Sequence, residues 1–300
     1  VLGFACGGLQ LGHTVVLMDK WSPEGMLQLI ERHCVTYAHM VPTQFHRLLQ
    51  LPDEVKQRHD ISSMRHAIHA AAPCPIETKR QMIEWWGPVI DEYYGSTEGG
   101  GTTVFAAEWL LKPGTVGRPW EITELAIFDD DATRLTRPRA VGTVYFRMEG
   151  VTFEYFKDSE KTAQSRIGDF VTVGDVGYLD EDGWLFLCGR KNETIISGGV
   201  NIYPAEIEAV LLEHPAVRDV AVFGVPNDDW GEEIKAVVEI DGICEPADDL
   251  AQELAAFAAA RLAKFKLPKS IEFTTQLPRD PNGKLYKRAL RDPYWQAVAR

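Results

Sequence analysis

The stretch "MRHAIHAAAPCPIETKRQMIEWWGPVIDEYYGSTEGGG", residues 64–101, sets the architecture of the chain's first third. "MRHAIHA" (64–70) reads as a buried strand, "PIETKRQMIEWW" (75–86) as a helix and "VIDEYY" (89–94) as the next strand, a strand–helix–strand order that gives parallel pairing. The preceding residues repeat it. "TVVLMD" (14–19) reads as a strand, Ser22 and Pro23 cap a helix whose apolar face includes Met26, Leu27 and Ile30, "TYAHMV" (36–41) is a strand and "PTQFHRLLQL" (42–51) a helix. In parallel sheets ligands bind beyond the carboxyl ends of the strands, so "HAAAPCP" (69–75) and "YYGSTEGGG" (93–101) fall where a crevice is expected.

Composition sets the bounds. The 300 residues are 45% hydrophobic and 25% charged, enough to bury a large core and to exceed one domain. No apolar run reaches the roughly 20 residues that span a bilayer, and residues 1–20 lack the marks of a signal peptide. A net charge of -13 argues against nucleic acid, although "RLAKFKLPK" (261–269) is locally basic. Cys6, Cys34, Cys74, Cys188 and Cys244 are scattered without a CxxC, which reads as reduced core thiols and a cytoplasmic protein.

From about residue 115 strands and hairpins take over: "ELAIF" (124–128), "GTVYFRM" (142–148) and "VGYLDEDGWLFLCGR" (176–190), the last with an Asp182-Gly183 turn signal. After Arg190 come "ETIIS" (193–197), a helix from Pro204, "VRDVAVFGV" (217–225), "EIKAVVEI" (233–240), an Ala-rich helix over 248–263 and "SIEFT" (270–274). The expected fold is α/β: a partial parallel-sheet large domain over 1–189, divided into a βα sheet (1–113) and a β-rich subdomain (114–189), then a small α+β C-terminal domain over 190–300 that includes the hinge.

"YYGSTEGG" resembles the Y-G-x-T-E core of adenylate-forming enzymes, the superfamily of acyl-CoA synthetases, luciferases and peptide-synthetase adenylation domains. "GTVGRP" (114–119), "GDVGYLDEDGWLFLCGRKNETIISGGVNIYPAEIE" (174–208), "HPAVRDVAVFGVPNDDWGE" (214–232) and "LPRDPNGKLYKRALR" (277–291) extend the resemblance in family order. The residue chemistry agrees. Tyr94 offers a flat face to adenine, Gly95 lets the backbone approach, Thr97 offers a hydroxyl to phosphate and Glu98 is a hard oxygen ligand for Mg²⁺.

The resemblance implies further roles. Asp175 accepts the ribose hydroxyls and Arg190 makes a second ribose or phosphate contact, where an Asx turn and a surface arginine are the plain alternatives. Ala71, Glu92 and Tyr93 line the nucleotide, Ala70 and Ala71 standing where relatives usually carry Gly-Gly or Gly-Ala. Ser197, Gly198 and Gly199 line the pantetheine channel, Asn192 takes the hinge position usually held by Asp or Lys, and Lys284 is the C-terminal catalytic lysine. His39 and His69 read as satisfied core histidines, and no spacing supports a metal cluster.

The family's phosphate loop with its lysine is absent from these 300 residues, so the chain reads as the back portion of a larger synthetase. The implied reaction converts a hydrophobic carboxylic acid, a fatty acid first, with ATP, Mg²⁺ and coenzyme A, to acyl-AMP and then acyl-CoA. An aryl- or steroid-acid CoA ligase and a non-catalytic nucleotide-binding fragment are the alternatives. The expected partners are small molecules, with no nucleic acid and at most peripheral membrane contact.

Overall fold

A computed structural model describes residues 2–240, 248–279 and 285–298. The chain divides into two compact units, one of residues 1–125, 146–154 and 180–186, the other of 126–145, 155–179 and 187–300.

In the first unit α1 (Leu2–Gln10) and α2 (Pro23–His33) lead to β1 (Tyr37–Met40), α3 (Pro42–Leu49), α4 (Asp53–Arg58), β2 (His66–His69), α5 (Ile76–Trp86), β3 (Ile90–Gly95), β4 (Gly101–Val104), α6 (Ala106–Leu111) and β5 (Arg118–Pro119). Ser22 opens α2 by accepting the Gly25 amide, and Cys34 closes it in the left-handed conformation. The sheet runs β1-β2-β3-β4-β5. β1, β2 and β3 are parallel, as the alternating pattern requires, whereas β4 returns antiparallel to β3 and β5 to β4.

Two expectations change here. "TVVLMD" (14–19) forms no strand: it has no ladder partner and Leu17 is exposed, so an apolar run without a neighbouring strand stays irregular. The glycine-rich turn, read as a strand end before a crevice, is the tip of a β3–β4 hairpin with Gly95 opposite Gly101. The core gathers Leu27, Ile30, Phe45, Leu48, Met82, Ile90 and Trp109.

A second sheet takes β6 (Thr123–Phe128), β7 (Arg134–Leu135), β8 (Gly142–Met148), β9 (Arg166–Ile167), β10 (Phe170–Val171), β11 (Asp175–Leu179) and β12 (Leu185–Arg190) in the order β12-β11-β8-β10-β9, with β6 on β8 and β7 on β6. α7 (Ser159–Gln164) precedes β9. The anticipated turn between β11 and β12 forms, with Gly183 at positive φ and Asp180 Oδ1 accepting the amides of Asp182 and Trp184.

The third sheet belongs to the second unit. β13 (Ile195–Ser197) and β14 (Val200–Ile202) make a hairpin, α8 (Pro204–Leu211) follows, and β15 (Asp219–Asn227) pairs with β16 (Gly231–Glu239) along its full length. After α9 (Asp248–Ala259), β17 (Ser270–Thr274) joins β16 in parallel, and α10 (Lys287–Val298) packs on β15. Alternate residues of β15 divide between two cores: Val220 and Val222 meet Ile207, Leu211 and Leu254, while Ala221, Phe223 and Val225 meet Leu277 and Leu290. The architecture is thus mixed α/β with parallel-containing sheets, a β subdomain and a small C-terminal domain.

The thiol expectation changes too. Cys6 and Cys34 are exposed and Cys74 and Cys188 half-buried; these four are free, while Cys244 lies outside the described residues. Cys6 and Cys34 are therefore not core residues.

Candidate functional site

The first cluster of candidate residues sits at the carboxyl end of β3. Strand alternation turns Tyr93 and Tyr94 to opposite faces. Tyr93 Oη lies 3.2 Å from His39 Nε2, and its ring stacks with His39 and Phe4. Tyr94 tilts against Phe146 at 5.7 Å between centroids. Beyond Gly95 the Thr97 hydroxyl is exposed and donates to Glu98 Oε2 at 3.1 Å.

The glycines of this turn have steric reasons of their own. A Cβ on Gly100 would fall 2.4 Å from the Phe146 Cβ, and one on Gly101 would fall 2.6 Å from the Trp120 ring and 2.7 Å from the Tyr94 carbonyl oxygen. Both aromatic rings close onto bare backbone, which shapes the turn that displays Thr97 and Glu98.

Glu92, two residues before Tyr94 and on the same face of β3, reaches into the interior. Its carboxylate is buried, receives Lys79 Nζ at 2.7 Å and lies 3.3 Å from His69 Nε2. His69 is fully buried, and of its two ring nitrogens Nε2 faces the Glu92 carboxylate while Nδ1 has no hydrogen-bond partner. Burial lowers the His69 pKa, and Glu92 only partly offsets this. Burial also opposes the Glu92 charge, yet its pKa lies below the ordinary carboxylate range because His69 and Lys79 face it.

Lys79 is the site-adjacent residue that sequence reading missed, though it left a signal: it stands three, four and seven residues before Met82, Ile83 and Trp86, on the buried stripe of α5.

Ala71, just past β2, has φ 74°, a left-handed conformation costing alanine roughly 1–2 kcal/mol. Glycine relieves that cost while giving back roughly 0.5–1 kcal/mol in chain entropy. Ala71→Gly is therefore expected to stabilise the chain by about 0.5–1 kcal/mol in denaturant titration; a measured loss would show that the backbone is unstrained there.

The second cluster lies in the second unit. Asp175 opens β11 and Arg190 ends β12, so one hairpin brings them together, with Arg190 Nε donating to Asp175 Oδ1 at 3.1 Å. Asp175 is buried, and the Arg190 side chain is half-exposed. Asn192 lies in a short 3₁₀ turn (Lys191–Glu193), and its carbonyl accepts from Arg291.

Ser197 pairs with Val200 across β13–β14. Gly198 and Gly199 form its turn at φ 57° and 79°, the double positive φ of a type I′ hairpin. A Cβ on Gly198 would meet the Trp230 ring at 2.6 Å. Lys284 lies outside the described residues.

The fit to Mg²⁺ rests on one carboxylate. Among the described residues no group of three or more His, Cys, Asp or Glu side chains could hold a metal. Glu98 alone suits an ion carried chiefly by nucleotide phosphates, the usual habit of Mg²⁺.

The sequence profile of AMP-binding enzymes matches residues 1–156, and that of the AMP-binding enzyme C-terminal domain matches residues 206–284. This chain belongs to the AMP-binding enzyme family. It thus falls within the adenylate-forming superfamily and is similar to acid–thiol ligases. It is 35% identical over 283 residues to a long-chain-fatty-acid–CoA ligase of Bacillus subtilis, covering 94% of this chain and 50% of that protein. A 2-succinylbenzoate–CoA ligase of Bacillus pumilus is 36% identical over 282 residues, covering 93% and 55%.

Among solved structures, the amide bond synthetase McbA from Marinactinospora thermotolerans superposes with a TM-score of 0.84 at 33% identity, over 97% of this chain and 59% of that one. The o-succinylbenzoate CoA synthetase of Bacillus subtilis, in complex with its acyl-adenylate intermediate, gives 0.82 at 31%, over 97% and 58%. The chain spans about half the length of the curated relatives it matches.

Proposed function

We propose that this AMP-binding family chain works within a larger synthetase that activates a hydrophobic carboxylic acid, a fatty acid before others. The carboxylate attacks the α-phosphate of ATP, forming acyl-AMP and releasing pyrophosphate. The thiol of coenzyme A then attacks the acyl carbon, forming the thioester as AMP leaves. The observation that carries the reading is the β3–β4 turn, which displays Thr97 and Glu98 beyond a parallel strand end in a chain of this family.

On this reading Tyr94 and Gly95 face the nucleotide, with Ala71 and Tyr93 beside it, and Thr97 contacts the transferring phosphate. Glu92, engaged by Lys79, lies two residues before Tyr94 at the inner end of the nucleotide side. Asp175 and Arg190 hold the ribose, and Ser197, Gly198 and Gly199 line the path of coenzyme A. Asn192 is the pivot, and Lys284 is the catalytic cation. Magnesium at Glu98 would supply charge neutralisation for the departing pyrophosphate.

Similarity to long-chain-fatty-acid–CoA ligases of Bacillus subtilis and Mycobacterium tuberculosis supports a fatty acid. The 2-succinylbenzoate–CoA ligase relatives support an aryl acid as the second reading. No helix among the described residues is long and apolar enough to cross a membrane, and we place the enzyme in the cytoplasm.

The test is acid-dependent exchange of pyrophosphate into ATP by the full-length protein, with palmitate and 2-succinylbenzoate as separate substrates, followed by coenzyme A-dependent release of AMP. AMP binding without exchange on any acid would leave only a nucleotide-binding protein. Within this reading Asp175→Ala is expected to weaken AMP binding by roughly 1.5–3 kcal/mol, the range for hydrogen bonds to a charged group. An unchanged calorimetric affinity in the folded variant would remove the ribose assignment.

A further inference from the structure

β3 is paired on both sides only at Glu92. Its parallel pairing with β2 ends at the His69–Glu92 rung, and from Tyr93 through Gly95 the strand pairs with β4 alone. At that doubly held rung three polar side chains converge in the interior. Lys79 of α5 is fully buried, donates to Glu92 at 2.7 Å and lies 4.9 Å from the centroid of Trp109, itself buried on α6. His69 of β2 lies across the rung, 3.3 Å from Glu92 Oε2, in a T-shaped contact with Phe45 of α3. The cluster therefore ties α5 and the β2–β3 rung together, and through the Lys79–Trp109 contact it reaches α6.

The neighbouring residue adds a second tie. Asp91 accepts the Ala106 amide at the start of α6 at 2.9 Å and lies 2.6 Å from His66 Nδ1.

Such burial is an uneconomical way to gain stability. A buried ion pair costs desolvation that an apolar pair of similar volume avoids, and replacing both partners by apolar side chains is often neutral or stabilising. What a directed ammonium–carboxylate contact adds is a defined position. A displacement of about 1 Å at a reacting centre can cost on the order of 100-fold in rate.

We infer that Lys79, with His69, is a positioning residue: it fixes Glu92, and through it the singly paired end of β3 that presents Tyr94, Gly95 and the Thr97–Glu98 turn to the nucleotide. This rests on the nucleotide site proposed above. Charge at the cluster then serves placement, while its volume serves stability.

The experiment separates these two contributions in the full-length protein by comparing Lys79→Met with the double variant Lys79→Met/Glu92→Leu. The single variant strands a buried carboxylate and is expected to melt about 10 °C lower. The double variant is expected to recover most of that fall, yet to bind AMP at least about 10-fold more weakly and to show a matching rise in KM for ATP, as placement is lost. Lys79→Arg, which keeps the charge, should hold affinity nearer to the wild type than the double variant does.

Recovery of both stability and AMP affinity in the double variant would overturn the positioning role. So would a double variant that stays as unstable as the single one, because the charges would then be holding the fold itself. A wild-type protein that binds no AMP would sink the proposed nucleotide site and this inference with it, an outcome distinct from either variant result.

Discussion

Lys284→Ala in the full-length protein is expected to slow adenylation by at least about 100-fold, roughly 2.7 kcal/mol, while thioester formation from supplied acyl-AMP is largely spared. In the proposed mechanism negative charge builds between the attacking carboxylate and the α-phosphate. A fixed ammonium in a water-poor site stabilises that charge far more than solvent would. The lysine is needed only in the first half-reaction if the C-terminal domain turns before coenzyme A attacks. A pair of single-turnover measurements decides the matter. Equal losses in both half-reactions, or none in either, would make Lys284 a solvated or structural lysine, the ordinary fate of that residue type at the surface.

Much of the fold was legible because local chemistry and tertiary structure agreed. The parallel strands β1, β2 and β3 followed from apolar runs alternating with helices, and "SIEFT" became β17 at its expected bounds. The segments that misled were those whose state depends on a distant partner. "TVVLMD" has a strand's composition and no ladder to join. β4 was passed over because "GTTV" is short and begins inside the glycine run, so its pairing with β3 left no periodic trace.

The site divides in the same way. The Asp175–Arg190 pair follows from a hairpin whose turn could be read in the sequence, so its geometry was nearly fixed once β11 and β12 were placed. The Lys79–Glu92–His69 cluster required knowing that α5 covers the face of β3 carrying Glu92. A lysine on an apolar helical stripe hinted at it, but the stripe alone does not say which strand residue lies beneath.

Gly117 shows how a motif matched by resemblance acquires its physical cause from the fold, and it carries the second large expected effect. It stands within "GTVGRP" at φ 105°, in a region that an L side chain rarely adopts. An added Cβ would fall 2.1 Å from the Thr103 carbonyl oxygen, 2.3 Å from its carbon and 2.9 Å from the Val104 nitrogen. All three obstacles are backbone atoms of β4, so no side chain can swing aside. The glycine cannot retreat easily, because its carbonyl accepts the Leu185 amide at 2.9 Å and its own amide donates to Thr115 Oγ1 at 3.0 Å. Backbone strain of roughly 1–3 kcal/mol and overpacking of roughly 1–3 kcal/mol then add, so Gly117→Ala is expected to destabilise the protein by about 2–6 kcal/mol in denaturant titration. Any surviving fold must push β4 outward. Because Thr103 pairs with Tyr93 and Thr102 with Tyr94, that displacement reaches the strand end proposed to hold the nucleotide, and AMP affinity should fall even where the variant remains folded. A variant as stable as the wild type would mean that β4 yields freely at Thr103, and the close approach would then no longer explain the glycine.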